Sequence, residues 1–150
     1  MKKILFILLC VPFFAFTQCI EGDCENGYGT YLYSGEHSGD MYTGTFSDGY
    51  RNGFGVYKWA DGSTYTGTWQ SGEQHGFGIA TWPSGQTYTG EWENGQENGY
   101  GYRNYSNGDK FAGEYKNSNR NGLGVYTWAD GSVDVSYYHN GKKIATKCEF

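Results

Sequence analysis

The feature that most constrains this chain is a 23-residue period that runs without a gap from Tyr42 to Val133. Each block has an aromatic residue, a glycine two positions later, a second aromatic two positions beyond it, and then a Gly-x-Gly pair. The blocks are residues 42–64, 65–87, 88–110 and 111–133, which together make up 92 of the 150 residues. Because a repeat of this length is one supersecondary unit that buries its apolar face on its neighbours, we expect a repeat array.

The spacing inside each block is that of β-strands. Aromatic and β-branched residues alternate with other residues in stretches such as Tyr42–Phe46, which is the period of a strand. Clusters of Gly, Asn and Asp, such as those within 47–53 and 60–63, separate these stretches and are typical of tight turns. No segment after residue 17 has the length, pattern and caps of a helix. The prediction is an all-β fold: an elongated antiparallel meander of repeated β-hairpins, with no helix in the mature chain.

The glycines are predicted to make room for aromatic rings on one face of the sheet. Gly53, Gly55, Tyr57 and Trp59 are expected to share a face of the second strand, and a ring from a neighbouring strand can lie over a glycine. Rings repeated at this period would stack into a ladder, each pair adding about 0.5–1.5 kcal/mol beyond its buried area. The candidate surface or stacking aromatics are Tyr42, Phe46, Trp59, Tyr65, Trp69, Trp82, Tyr88, Trp92, Tyr105 and Trp128.

The opposite face is predicted to be partly covered rather than fully hydrated. In the first block it carries Thr43, Thr45, Phe54 and Val56, which are apolar or β-branched. A β-bulge near the Gly-x-Gly pair would shift this assignment of faces.

Both ends of the array deviate from the repeat, as caps do. Residues 18–41 are predicted to form a Cys-containing N-terminal cap with a partial repeat, and residues 134–150 a degenerate C-terminal cap. Val133 to Tyr137 is expected to be the last strand. Three lysines are expected to protect this final edge from pairing with other chains. They are Lys142, Lys143 and Lys147.

The first 17 residues are predicted to be a secretory signal peptide. Lys2 and Lys3 precede the apolar run Ile4–Phe16, and small residues at Ala15 and Thr17 favour cleavage before Gln18. The apolar run has 13 residues, fewer than the roughly 20 that a membrane-spanning helix needs. The mature protein is therefore expected in the periplasm, at the cell surface or outside the cell. A lipoprotein anchored through Cys19 is the lesser alternative.

The mature chain is acidic, and its charge is unevenly distributed. Without the leader it has nine basic and 16 acidic residues, a net charge of −7. From Cys19 to Tyr102 there are 11 acidic and two basic residues, whereas from Arg103 onward there are five acidic and seven basic ones. An acidic surface repels phosphate backbones and anionic lipids, so nucleic acid is not expected as a partner and membrane lipid is disfavoured.

Three cysteines follow the leader, and export would expose them to an oxidising compartment. Cys19 and Cys24 lie five positions apart and are predicted to form a disulfide. Cys148 is left over at the far end of the chain, either as an unpaired thiol or as an intermolecular bridge.

The complete pattern resembles the MORN repeat (membrane occupation and recognition nexus). Four full copies carry the resemblance, with Ser118 in place of one turn glycine and with a degenerate fifth copy. The segment from Gln18 to Tyr31 also resembles the start of exported bacterial MORN proteins. The resemblance implies a meandering antiparallel sheet used for self-association, scaffolding or proximity to a membrane.

No catalytic or cofactor-binding pattern is found in the sequence. The three histidines, His37, His75 and His139, lie in or beside turn-rich segments without the spacing of a metal site. The Gly-x-Gly pairs are not followed by a helix that could bind a phosphate, and no Gly-x-Ser-x-Gly motif is present. Neither an enzymatic activity nor a cofactor or metal is expected.

The function predicted from the sequence is that of a non-catalytic, exported scaffold in the cell envelope that binds a protein or a second copy of itself. The alternative is a module that binds envelope glycans on stacked rings such as Trp69, Trp92, Tyr105 and Trp128. Association with membrane lipid is a lesser alternative, because the only basic cluster is small.

Overall fold

The computed structural model describes residues 18–146, which form one antiparallel sheet of twelve strands. Each strand pairs with the next strand in the chain, so the sheet is a meander without crossovers. The strands are β1 (Gln18–Gly22), β2 (Tyr28–Leu32), β3 (Met41–Ser47), β4 (Tyr50–Lys58), β5 (Thr64–Gln70), β6 (Glu73–Thr81), β7 (Thr87–Glu93), β8 (Gln96–Asn104), β9 (Lys110–Lys116), β10 (Asn119–Thr127), β11 (Val133–His139) and β12 (Lys142–Thr146). The predicted all-β meander is confirmed.

Between Gln18 and Thr146 the structure has no α-helix, and its one helical element is a single 3-10 turn at Gly35–His37. Within the same span, no helix is long and apolar enough to cross a membrane. The predicted signal peptide (residues 1–17), Lys147 and Cys148 lie outside the described residues.

Each 23-residue block contributes one hairpin, with a seven-residue strand followed by a nine-residue strand. A row of mutually opposed glycines crosses the sheet at the centre of these hairpins. Gly44 is paired with Gly55 and Gly55 with Gly67, and the same pairing repeats through β10. A Cβ atom at Gly44 would lie 2.5 Å from the Cα of Gly55, so the strands approach each other too closely there for any side chain.

A β-bulge in every hairpin corrects one predicted face. The register of β3 and β4 shifts between Gly44 and Phe46, and Gly53 adopts a positive φ of 80°. A Cβ at Gly53 would meet the Thr45 hydroxyl at 2.5 Å, on the face opposite to Tyr57. The prediction that Gly53 shares a face with Gly55 is therefore wrong, because the left-handed residue at the bulge breaks the strand alternation.

The sheet has one more strand than expected at each of its two ends, β1 and β12. β1 precedes the partial repeat and pairs with its strand β2. β12 follows β11 and pairs with it, so the strand from Val133 is not the last one. The predicted disulfide between Cys19 and Cys24 is present and joins β1 to the turn before β2, with Cα atoms 5.8 Å apart.

Candidate binding surfaces

The core of the molecule is a continuous ladder of aromatic rings on one face of the sheet, here called the ladder face. Within a repeat, Tyr65 meets Trp69 edge to face with ring centres 5.0 Å apart. Between repeats, Tyr65 meets Trp92 at 5.1 Å and Tyr42 meets Trp69 at 5.4 Å. The rings follow in the order Phe46, Tyr42, Trp69, Tyr65, Trp92, Tyr88, Tyr115, Phe111 and Tyr138.

The glycine row holds the ladder in place. The ring of Tyr42 lies flat on Gly55, where a Cβ would come within 2.3 Å of the phenol oxygen. That phenol donates a hydrogen bond of 3.0 Å to the carbonyl of Thr45, and the Trp69 indole donates one of 3.4 Å to the carbonyl of Gly55. Burial raises the pKa of the Tyr42, Tyr65 and Tyr88 phenols well above the ordinary tyrosine value.

The ten predicted aromatics divide into two groups. Six are buried in the ladder and are part of the core: Tyr42, Phe46, Tyr65, Trp69, Tyr88 and Trp92. The remaining four stand at the turns between repeats, along one margin of the ladder face, and are partly or largely exposed: Trp59, Trp82, Tyr105 and Trp128. This second group is the more accessible to a ligand, and of the buried group Trp69 and Trp92 line cavities on this face.

A groove runs along the ladder face between these marginal aromatics and the hairpin turns of the opposite margin. It contains two adjoining cavities of about 430 Å³ and about 390 Å³. Both are bounded by Trp59, Gln74 and Gly95, so they form one groove.

Arginine side chains of the protein itself lie over aromatic rings of the ladder face. The Arg51 guanidinium lies 4.6 Å from the centre of the Trp69 ring and 4.9 Å from that of Tyr57. Arg120 lies 4.9 Å from the ring centre of Tyr138, in the equivalent position of the fourth repeat. Such cation–π contacts contribute about 0.5–2 kcal/mol according to their exposure.

Two carboxylates fix the tyrosines beneath these arginines. Asp109 accepts hydrogen bonds from the Tyr126 phenol at 2.7 Å and from the Ala129 amide at 2.9 Å. These donors, the Tyr126 hydroxyl first, hold the pKa of Asp109 below its usual value, and burial together with the carboxylate raises the pKa of Tyr126 to about 12. Asp40 accepts the same pair of bonds from Tyr57 and Ala60.

The opposite face of the sheet, here called the outer face, exposes a regular apolar row. Each of the four repeats places two apolar side chains there, on either side of the second glycine of its Gly-x-Gly pair. This outer row is Phe54, Val56, Phe77, Ile79, Tyr100, Tyr102, Leu123 and Val125, with exposures of 36% to 64%. The sequence interpretation named only Phe54 and Val56 of these. The other six residues of the row could have been found from the sequence, because the same two positions are apolar in every block.

Metal ligands do not cluster in the part of the chain that the structure describes: no group of three or more His, Cys, Asp or Glu side chains converges there. His75 lies in β6 and His139 at the end of β11, well apart along the strand order. The arrangement on the two faces supplies apolar contact, ring stacking and a few carboxylates, which are the elements of a binding surface.

A family model described as the MORN repeat matches residues 42–64, 65–87, 88–110 and 111–133. These matches cover more than half of the chain, and the chain therefore belongs to the MORN repeat family. The resemblance found in the sequence is confirmed, and the family together with the repeat fold indicates a scaffold or binding role.

Comparison with curated proteins gives no match. Among solved structures, the chain is similar to the TCP domain of SAS-4 (dCPAP) of Drosophila melanogaster, which was solved in complex with a proline-rich motif of Ana2 (dSTIL). The identity is 17%, the TM-score is 0.45, and the alignment covers 91% of this chain and 86% of that chain.

Proposed function

We propose that this protein is a non-catalytic, exported scaffold of the cell envelope that associates with a second copy of itself through the outer face. The observation that supports this proposal is the outer row of eight apolar side chains, which nothing covers within residues 18–146. The four pairs of the row are separated by threonine, glutamate and alanine side chains of β5, β7 and β9, and exposed apolar side chains repeated this regularly mark an interaction site.

The area of the outer row suits a protein partner. A large side chain offers on the order of 200 Å², so eight of them at these exposures present on the order of 800 Å². Each partner in a stable interface contributes about 800 Å². The row is also rich in aromatic rings, namely Phe54, Phe77, Tyr100 and Tyr102, which dominate the binding energy of interfaces.

The charge distribution favours a second copy as the partner. The sheet is a simple meander, so the acidic segment up to Tyr102 occupies one end and the more basic segment from Arg103 occupies the other. A two-fold axis that lies in the interface, parallel to the strands and at the middle of the outer row, would place the acidic end of one copy over the basic end of the other. Such a symmetric (isologous) interface would pair opposite charges and bury the outer row at the same time.

The proposal is tested by light scattering coupled to size exclusion on the chain from Gln18 onward. We expect a dimer, and we expect the double variant Phe77→Glu/Tyr100→Glu to be a monomer with an unchanged circular dichroism spectrum. Ser84→Glu, an exposed turn substitution away from the outer row, is the matched control and is expected to stay dimeric.

A monomeric wild-type chain at all accessible concentrations would overturn self-association. Recovery of a different envelope protein by crosslinking to the outer face, lost in the double variant, would assign the same surface to another partner. A chain that is monomeric and from which crosslinking recovers no envelope protein would overturn the scaffold proposal.

A further inference from the structure

Around the second repeat, three side chains of the arrangement described for Tyr57, Arg51 and Asp40 are replaced, and the three positions meet at one place on the ladder face. The positions 23 residues after Tyr57, Arg51 and Asp40 hold Ala80, Gln74 and Ser63, of which Ser63 lies at the end of the first repeat. After a further 23 residues these positions hold Arg103, Glu97 and Gln86, and tyrosine, arginine and aspartate return only as Tyr126, Arg120 and Asp109. The ring, the guanidinium and the carboxylate are therefore lost together around the second repeat.

These three changes open the cavity of about 390 Å³, here called the Ala80 cavity. It is lined by Ala80, Ser63 and Gln74 themselves and by three tryptophans, Trp59, Trp82 and Trp92. Its volume lies within the usual range for a ligand pocket, roughly 300–1,000 Å³.

The ring of Trp92 in the wall of the Ala80 cavity differs from its counterpart, Trp69, in what lies over it. The Trp69 ring is covered by Arg51 at 4.6 Å. Among the described residues no arginine or lysine lies over Trp92, since the nearby Arg103 is placed over Trp82 at 5.2 Å and over Tyr88 at 5.6 Å. The aromatic platform is thus kept as Trp92, whereas the second repeat lacks the cation that the first repeat places over Trp69.

A buried carboxylate faces the same cavity with one oxygen unused. Glu97 is 2% exposed, and its Oε1 pairs with the Arg103 guanidinium. Its Oε2 is buried without any hydrogen-bond partner, although Glu97 belongs to the cavity lining. The lining also contains Asp61 and no lysine or arginine. A buried acceptor without a donor is costly, so a ligand that brings a donor there is favoured.

We propose that the Ala80 cavity binds the guanidinium of an arginine side chain that belongs to a partner protein. The planar guanidinium stacks on Trp92, as Arg51 does on Trp69, and donates to Glu97 Oε2. Arginine suits the site better than lysine because it is planar, stacks on rings and donates in a fork. This site lies on the ladder face and is independent of association through the outer face.

The test uses the acetylated and amidated peptide Gly-Arg-Gly, added to the chain from Gln18 onward and followed by the indole N–H resonances of its five tryptophans. We expect saturable shifts at Trp59, Trp82 and Trp92, with Trp128 unaffected. Replacing arginine by citrulline, which keeps the shape and removes the charge, is expected to weaken binding about tenfold or more.

The matched variant is the triple substitution Ser63→Asp/Gln74→Arg/Ala80→Tyr, which rebuilds the arrangement of the first repeat. It fills the cavity with residues that the fold already accepts twice, so we expect a melting temperature equal to or above that of wild type. We expect the peptide to cause no shift in this variant. Glu97→Gln is expected to weaken binding while the shifts remain at the same three tryptophans.

Several outcomes would overturn the proposal. They are the absence of saturable shifts, equal binding of the citrulline peptide, unchanged binding by the triple variant, or shifts caused only by cell-wall oligosaccharides. The last result would assign the cavity to a sugar ring instead. Each outcome is independent of the dimer measurement, because that measurement reports on the opposite face of the sheet.

Discussion

At the scale of single residues, the fold depends on one contact repeated four times, in which a ring lies flat on a glycine. Tyr65 lies on Gly78 as Tyr42 lies on Gly55, and Phe111 on Gly124 shows that the contact does not need the phenol oxygen. This contact was predictable, because a glycine and a ring at fixed spacing in every block have few other uses. The sequence allowed a bulge near Gly53 without deciding whether one forms, because strand alternation does not indicate the sign of φ.

The first prediction concerns this contact. A Cβ at Gly78 would lie 2.3 Å from the Tyr65 oxygen and 2.5 Å from two of its ring carbons. Gly78→Ala is therefore expected to displace the ring, lowering the free energy of unfolding by up to about 3 kcal/mol and changing the near-ultraviolet circular dichroism. Urea titration measures the loss.

Gly85→Ala is the control in the same repeat. Its φ is 85° and no atom lies within 4 Å of an added Cβ, so only backbone strain of about 1 kcal/mol is expected. Equal losses in the two variants, with unchanged near-ultraviolet spectra in both, would contradict the ring-on-glycine explanation.

The second prediction concerns the protonation of the tyrosine phenols that are buried in the ladder. Burial raises the pKa of Tyr42, Tyr65 and Tyr88, so the folded state retains protons that the unfolded state releases near pH 10. This contribution to stability is complete below about pH 10 and is lost as the pH rises further.

The urea concentration at the midpoint of unfolding is expected to stay constant up to about pH 10 and then to fall. The phenolate absorbance of the buried rings should appear together with unfolding. Tyr65→Phe, which imitates Phe111, should make the fall less steep. Phenolate formation by these rings in a chain that stays folded would contradict the prediction.

At the scale of elements, the unit is a hairpin with a bulge, and the four central hairpins follow the blocks in the sequence. β1 and β12 were missed for a physical reason. All five residues of β1 are exposed, and so are all five of β12, so neither strand shows the alternation that reveals a half-buried strand. The Ala80 cavity was missed as well, because one small residue in a repeat looks like ordinary variation until its neighbours are placed in space.

The third prediction concerns β1, which is attached by its ladder to β2 and by the disulfide. Closing so short a loop contributes about 2 kcal/mol in the chain-entropy model. We expect Cys19→Ser/Cys24→Ser to speed amide hydrogen exchange in Gln18–Gly22 while exchange in Thr64–Gln70 stays unchanged. Faster exchange throughout the sheet would show instead that the disulfide stabilises the whole molecule.

At the scale of the whole molecule, every strand contacts its neighbours in sequence, so stability is a sum over hairpins and their interfaces. The order of the strands was predictable because short turns between successive strands leave no other topology. The surfaces were only partly predictable, because the burial of a ring depends on how the sheet places it against the next repeat.

The fourth prediction tests this additivity. Deletion of residues 65–87 removes one complete repeat and places Trp92 against Tyr42, where Trp69 stands in the full chain. We expect a folded, cooperatively melting protein of lower stability, measured by circular dichroism and urea titration. Deletion of residues 64–72 removes β5 together with the turn that follows it and is the control. It is expected to prevent folding, because β6 would then run parallel to β4 across a short connection.

The meander has a consequence for how the molecule is made. Since β1 to β12 pair strictly in chain order, each hairpin can add to a finished edge as soon as it has been synthesised, without waiting for distant residues. The growing edge is always a strand ready to accept the next one, which is also the state most exposed to pairing with a foreign chain. Within residues 18–146, β12 forms the final edge in this order, and its lysines place positive charge there.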